Sequence, residues 1–216
     1  MTLSSIVRKV AMAISGLFLV FFLAQHFTIN ITSVFSEEMF NNISHFMGTN
    51  PLVQFILQPI LIFGVIFHFV MGFILEIKNK KARTTSYASF KGSENASWMS
   101  RNMIFSGLVI LSFLVLHFYD FWIPEMNYKY IEVLPNDPNR YYEELVHKFH
   151  SPYRVGLYSL SFVFLALHLL HGFSSAFQSV GFNNKFMIGI KKFTIAFSLI
   201  IPFGFVFIAI FHHLNG

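Results

Sequence analysis

Residues 52–76 read LVQFILQPILIFGVIFHFVMGFILE. No Lys, Arg, Asp or Glu interrupts this run before Glu76. At ~1.5 Å of rise per residue it reaches roughly 37 Å, more than the ~30 Å of a bilayer's hydrocarbon core. Lipid offers the backbone no hydrogen bonds, so a run of this kind must close its own as an α-helix. In its second half stands His68, followed one helical turn later by Gly72 and then Phe73.

Four further apolar runs lie at about 9–29, 102–121, 153–178 and 190–211. The expectation is an all-α protein, an integral membrane bundle of five transmembrane helices in a single domain over 1–216. Composition agrees. Of 216 residues, 55% are hydrophobic and 12% charged, against roughly 25% charged in soluble domains. Thirty phenylalanines suit lipid and flat, planar ligands. The first run is longer than a signal-peptide core and no small-residue cleavage site follows it, so it reads as a span. The chain has no cysteine. Disulfides, C-x-x-C-H haem attachment and cysteine-ligated iron–sulfur clusters are therefore excluded for this chain.

Lys and Arg set the orientation. With the N-terminus in the cytoplasm, 11 of the 15 basic residues face inward and eight of the ten acids face outward. The positive-inside rule thus predicts N-terminus in and C-terminus out. The net charge of +5 becomes a topology signal rather than a nucleic-acid signal. The predicted outer segments are 31–51 and 122–152. In the second, Asp137-Pro138 reads as an N-cap and first-turn proline. A short helix through Tyr141, Leu145 and Phe149 would follow and lie on the membrane. Pro202 is expected to kink the fifth span. The inner polar loop 78–100, with Trp98, is the longest cytoplasmic surface.

An internal repeat underlies the spans. Ser15-Gly16-Leu17 precedes His26-Phe27 by the same interval as Ser106-Gly107-Leu108 precedes His117-Phe118. His68, Gly72 and Phe73 recur in register as His168, Gly172 and Phe173. A glycine four residues from a histidine lies on its face of the helix, as do Gly16 and Gly107, about three turns away. The missing side chains leave room for a flat macrocycle, although small residues also serve ordinary helix packing.

Depth sorts the histidines. His26 and His117 lie roughly 24–27 Å along their helices from Arg8 and Arg101, near the outer face. His68 lies roughly 15 Å from Lys78, and His168 at a similar depth. Two depth-matched pairs result, His26 with His117 and His68 with His168, each able to give an iron two axial imidazoles. A single membrane histidine more often makes an interhelical hydrogen bond or relays protons. Zinc or copper fits less well, since no third or fourth ligand accompanies either pair. His171 competes with His168, but only His168 shares the offset of His68 to Gly-Phe. His45, His147, His150, His212 and His213 are expected to be solvated at outer interfaces, with His45 also placed near a quinone. Arg8, Arg101 and Arg154 are candidate partners for haem propionates. Asn30, Glu38, Asn41 and His45 are outer polar side chains, and each reads as ordinary loop polarity.

On Arg8, Ser15-Gly16, Gln25-His26, Glu38-Met-Phe-Asn41, His68-x3-Gly72, Ser106-Gly107 with His117, and His168-x3-Gly172 followed by Gly181, the chain resembles a known family over nearly its whole length. This is the dihaem cytochrome b membrane anchor of succinate dehydrogenase and fumarate reductase, of the single-chain, five-helix bacterial type. The resemblance implies two b haems held by His26, His117, His68 and His168. It implies flavoprotein and iron–sulfur subunits docked on the cytoplasmic face at 78–101 and 179–192, menaquinone as redox partner with Asn30, Glu38, Asn41 and His45 as its candidate contacts, and a bacterial cytoplasmic membrane. Some members carry a glutamate two residues before the inner ligand of the fourth span, used in proton transfer. Here that position is Ala166. Two other readings stay open: an anchor of a hydrogenase or formate dehydrogenase, and a haem-free transporter with a histidine proton relay.

Overall fold

Ser4 turns the chain into its first helix, its Oγ accepting from Val7 N at 3.3 Å. In this computed structural model, which describes residues 4–81, 102–182 and 185–216, every described element is helical. Five helices are long and apolar enough to cross a membrane. They are α1 (Ser5–Phe35), α3 (Val53–Lys81), α4 (Met103–Ile131), α6 (Pro152–Ser179) and α7 (Met187–Asn215). Two shorter helices, α2 (Glu37–Thr49) and α5 (Arg140–Phe149), join them. The polar stretch 82–100 and Arg101 lie outside the described residues.

The ends of the spans depart from expectation where local chemistry extends them. Ser36 closes α1 with its backbone N–H on Thr32 O, and opens α2 by accepting from Met39 N at 3.1 Å. Glu37 and Glu38 then sit in the first turn of α2, where the helix dipole favours acids. The outer segment 31–51 is thus largely a helical hairpin. The third span does not stop near residue 121. It continues through Pro124 to Ile131 by way of two π-helical segments, Phe118–Trp122 and Asn127–Ile131. Such widened turns absorb the backbone bond a proline cannot make.

Asp137-Pro138 does not cap α5. Asp137 Oδ1 accepts from Asn139 N at 2.9 Å, closing a local turn, and the helix begins at Arg140. Nor does α5 give its apolar face to lipid. Leu145 and Phe149 are both 5% exposed, buried with Phe40, Tyr158, Phe162 and Phe205 in the main core. α6 ends in a left-handed residue, Gly181 at φ +102°, where Phe182 N reaches back to Phe177 O. α7 runs unbroken through Pro202.

α1 and α6 form the middle of the bundle. Each packs on the other and on α7, while α3 leans on α1 and α4 leans on α6. The repeat therefore has a spatial meaning: α1 with α3 and α4 with α6 are two like helix pairs. α2, α5 and α7 belong to neither pair, and they close one end of the bundle.

Candidate functional site

The repeated serines and glycines meet the repeated histidines across helices. Ser15 Oγ lies 3.1 Å from His68 Nδ1, and Ser106 Oγ lies 3.1 Å from His168 Nδ1. Each serine also donates to its own helix, at Met12 O (2.8 Å) and Met103 O (2.9 Å). A Cβ at Gly16 would stand 3.3 Å from His68 Cε1, and one at Gly107 would stand 3.9 Å from His168 Cε1. Gly72 faces Met12 Cε and Gly172 faces Met103 Cε. The correspondence covers methionine, serine, glycine and histidine in turn.

His68 and His168 face one another with ring centroids 6.4 Å apart and planes at 68°. They border an open cleft whose wall includes Met12, Gly72, Met103 and Gly107. Glu76 also lines it. His171 stays half-buried on α6 and is not part of that wall.

Eleven residues further along α1 and along α4, roughly 16 Å up the bundle, lie His26 and His117. Their centroids are 5.8 Å apart with planes at 84°. Aromatic rings surround them. Phe22 stacks on His26 and Phe113 on His117, while Phe205, Phe121 and Tyr158 close the sides. Asn30 Nδ2 donates to His26 O at 2.8 Å and lies 3.4 Å from the ring nitrogens. His117 Nδ1 is buried without a hydrogen-bond partner.

The residues fit a macrocycle better than an isolated metal ion. Among the described residues, no three or more His, Cys, Asp or Glu side chains converge as in an ion site. Each pair offers two imidazoles, and a porphyrin brings the remaining four donors itself. Metal–imidazole bonds of about 2 Å on opposite sides of one iron put the ring centroids roughly 6.3 Å apart. The two observed separations, 6.4 and 5.8 Å, are of that order.

Other nominated residues are dispersed. Arg8 lies in the first turn of α1, one turn before Met12, and is half-buried. Arg101 falls outside the described residues. Arg154 is engaged within the protein: its Nε bonds both oxygens of Asp120, at 3.0 and 3.1 Å. Among the quinone candidates, Asn30 touches a histidine of the aromatic pair. Glu38 is exposed. Asn41 is 2% exposed and accepts from Tyr142 N at 2.8 Å, tying α2 to α5. His45 faces the Tyr141 ring, with its Nδ1 buried and unpartnered.

His212 corrects the expectation of a solvated interface. It is 1% exposed, against Tyr142, with Nε2 2.8 Å from Ser33 Oγ. It is covered because α1 and α5 both extend past the hydrophobic spans. The sequence reading also missed Asp120, 1% exposed and bonded by Tyr158 OH at 3.1 Å as well as by Arg154. Its signal was present: an acid three residues after His117, still on a helical face.

No family model matches this chain, and neither the curated proteins nor the solved structures give a significant match.

Proposed function

We propose that this protein is the membrane anchor of a succinate:quinone oxidoreductase, carrying two b haems between an iron–sulfur subunit and membrane quinone. One observation carries the reading. Two histidine pairs meet at separate depths, His26 with His117 across α1 and α4 and His68 with His168 across α3 and α6, and the same serine–glycine signature recurs on both helix pairs. His68 and His168 hold one haem, and His26 and His117 hold the other. Each haem supplies a one-electron couple in a dry, low-dielectric setting.

The chain's own residues do the rest. The paired imidazoles fix two positions about 16 Å apart along the bundle. Gly72 and Gly107 keep side chains out of the cleft. Phe22, Phe113 and Phe205 exclude water from the second pair. Arg8 is a basic partner for a propionate at the cleft end, and Arg101 is a second candidate by its place in the sequence. Arg154, already shared with Asp120, supplies positive charge near His117. The quinone, menaquinone by the family resemblance, meets the opposite end, where Asn30 and His45 are the polar groups beside buried rings. The flavoprotein, with the succinate/fumarate chemistry, and the iron–sulfur subunit dock on the Lys-rich face of a bacterial cytoplasmic membrane. That arrangement has the N-terminus inside and the C-terminus outside.

A reduced-minus-oxidised spectrum of the purified chain tests this. Two b haems per chain by pyridine haemochrome, with co-purification of a flavoprotein and a cysteine-rich partner, are expected. Absence of a b-type α-band would leave the proton-relay transporter as the better reading. Haem with a hydrogenase or formate dehydrogenase partner would move the chain to that kind of complex.

A further inference from the structure

A serine hydroxyl has one hydrogen to give. Ser15 gives its hydrogen to Met12 O and Ser106 to Met103 O, each three residues back on its own helix. What remains on each oxygen is acceptor capacity, and the group within reach is an imidazole Nδ1 at 3.1 Å. Nδ1 must then carry the ring's proton. Both serines are nearly out of solvent, at 8% and 7% exposed, so water does not compete for the bond.

We infer that Ser15 and Ser106 are positioning residues that hold His68 and His168 in the Nδ1–H tautomer, leaving each Nε2 lone pair for a haem iron. The inference rests on the dihaem reading above. A neutral imidazole presents one nitrogen as donor and the other as acceptor, and the hydrogen bond made by one decides which is free to ligate. The Nδ1–H bond also raises the basicity of Nε2, which favours the ferric state. The two serines sit at equivalent places in the repeat, so both imidazoles that would hold one haem are set in the same way.

The rest of the molecule supplies the contrast. Ser33 uses the same device: it donates to Asn30 O at 2.7 Å and accepts from His212. There the bonded nitrogen is Nε2, so the tautomer is the opposite one and Nε2 is consumed. His117 Nδ1 has no partner. Serine-directed Nδ1–H bonds thus mark His68 and His168 apart from the other buried histidines.

The test is a redox titration of the full-length, haem-loaded chain with Ser15→Ala, Ser106→Ala, and threonine at the same positions. Each alanine variant should raise the midpoint potential of one haem only, the one that His68→Ala abolishes. A tenfold change in its ferric-to-ferrous ratio corresponds to ~59 mV for one electron. Threonine keeps the hydroxyl and should restore the wild-type value. Ser112→Ala, which removes an exposed hydroxyl bonded to its own helix at Leu108 O, should leave both potentials unchanged. If an alanine variant loses haem outright, the loss should be confined to that one site. Unchanged potentials, equal shifts of both haems, or loss of both haems would overturn the inference while the dihaem reading stands. A wild-type chain without haem would instead overturn the reading on which it rests.

Discussion

His68 and His168 are held by hydroxyls, whereas His26 and His117 are held by rings. The two pairs come from the same repeated helices. α1 and α4 each carry a serine and, eleven residues on, a histidine. Their surroundings differ because the other elements are not repeated. α2, α5 and the second half of α7 cover one end and bring Phe40, Phe149 and Phe205 into a closed core. The other end keeps a cleft among α1, α3, α4 and α6. Duplication accounts for two like-spaced pairs, and the unduplicated helices make them different. One pair is oriented by serine hydroxyls, the other by ring packing with Asn30 beside the His26 nitrogens.

The largest effect that could break this comparison comes from the histidines themselves. His68→Ala or His168→Ala should remove one haem completely and keep the other, and His26→Ala or His117→Ala should do the reverse. Haem per chain by pyridine haemochrome would fall from two to one in every case. Loss of the first haem in His171→Ala, and not in His168→Ala, would shift the register by about one turn.

A smaller effect should separate the two ends by stability. Asp120→Ala strips the carboxylate from Arg154 and Tyr158. Breaking a buried pair costs roughly 3–5 kcal/mol, and about 2–3 is expected here because part of Arg154 remains in contact with the outside. Thermal unfolding in detergent measures the cost. The His26–His117 haem should be released first, because Tyr158 packs against the His117 ring. Equal release of both haems would mean that the ends are not separate.

Gly107→Ala sharpens the cleft. The new Cβ would meet His168 Cε1 at 3.9 Å, an ordinary contact, so the protein alone has room for it. Alanine should even favour the helix by up to ~1 kcal/mol. With a macrocycle in the cleft, the methyl should instead weaken retention of that haem about tenfold, within the ~1–3 kcal/mol that overpacking costs. Haem-release kinetics read the difference. A more stable variant with unchanged haem retention would remove the macrocycle from this wall.

The smallest effect lies at the covered end. Burial, with Glu125 nearby, pushes the Tyr141 phenol up to about 12, against the opposing pull of Arg140. The folded state thus holds the proton more tightly than the unfolded state. Tyr141 should contribute stability fully below about pH 10 and lose it as pH rises toward 12. Unfolding midpoints across pH 9–12 should fall less steeply in Tyr141→Phe. An unchanged slope would show that this end is not held by that phenol.

Much of the fold was legible because its signals are local. Charge-free length gives a spanning helix without reference to any neighbour, and five such helices are present. The offset of His168 to Gly172, copied from His68 and Gly72, chose it over His171, and the structure brings His168 to His68. Less was legible at the ends. Pro124 fell within the expected outer segment 122–152, yet π-helical turns on both sides carry the helix through it. Asp120 read as an outer acid because its partners, Arg154 and Tyr158, lie more than thirty residues away.

By itself, the sequence determined the number of spans, the repeat and the four histidines to consider, since each follows from spacing along one helix. Only the tertiary structure decided which groups those histidines meet. The bonds from Ser15 to His68 and from Ser106 to His168 join residues 53 and 62 positions apart. The burial of His212 needs both α1 and α5 in place. Hydrogen bonds and burial depend on which helices become neighbours, and helix neighbours in a bundle are set by packing across elements rather than by period within one.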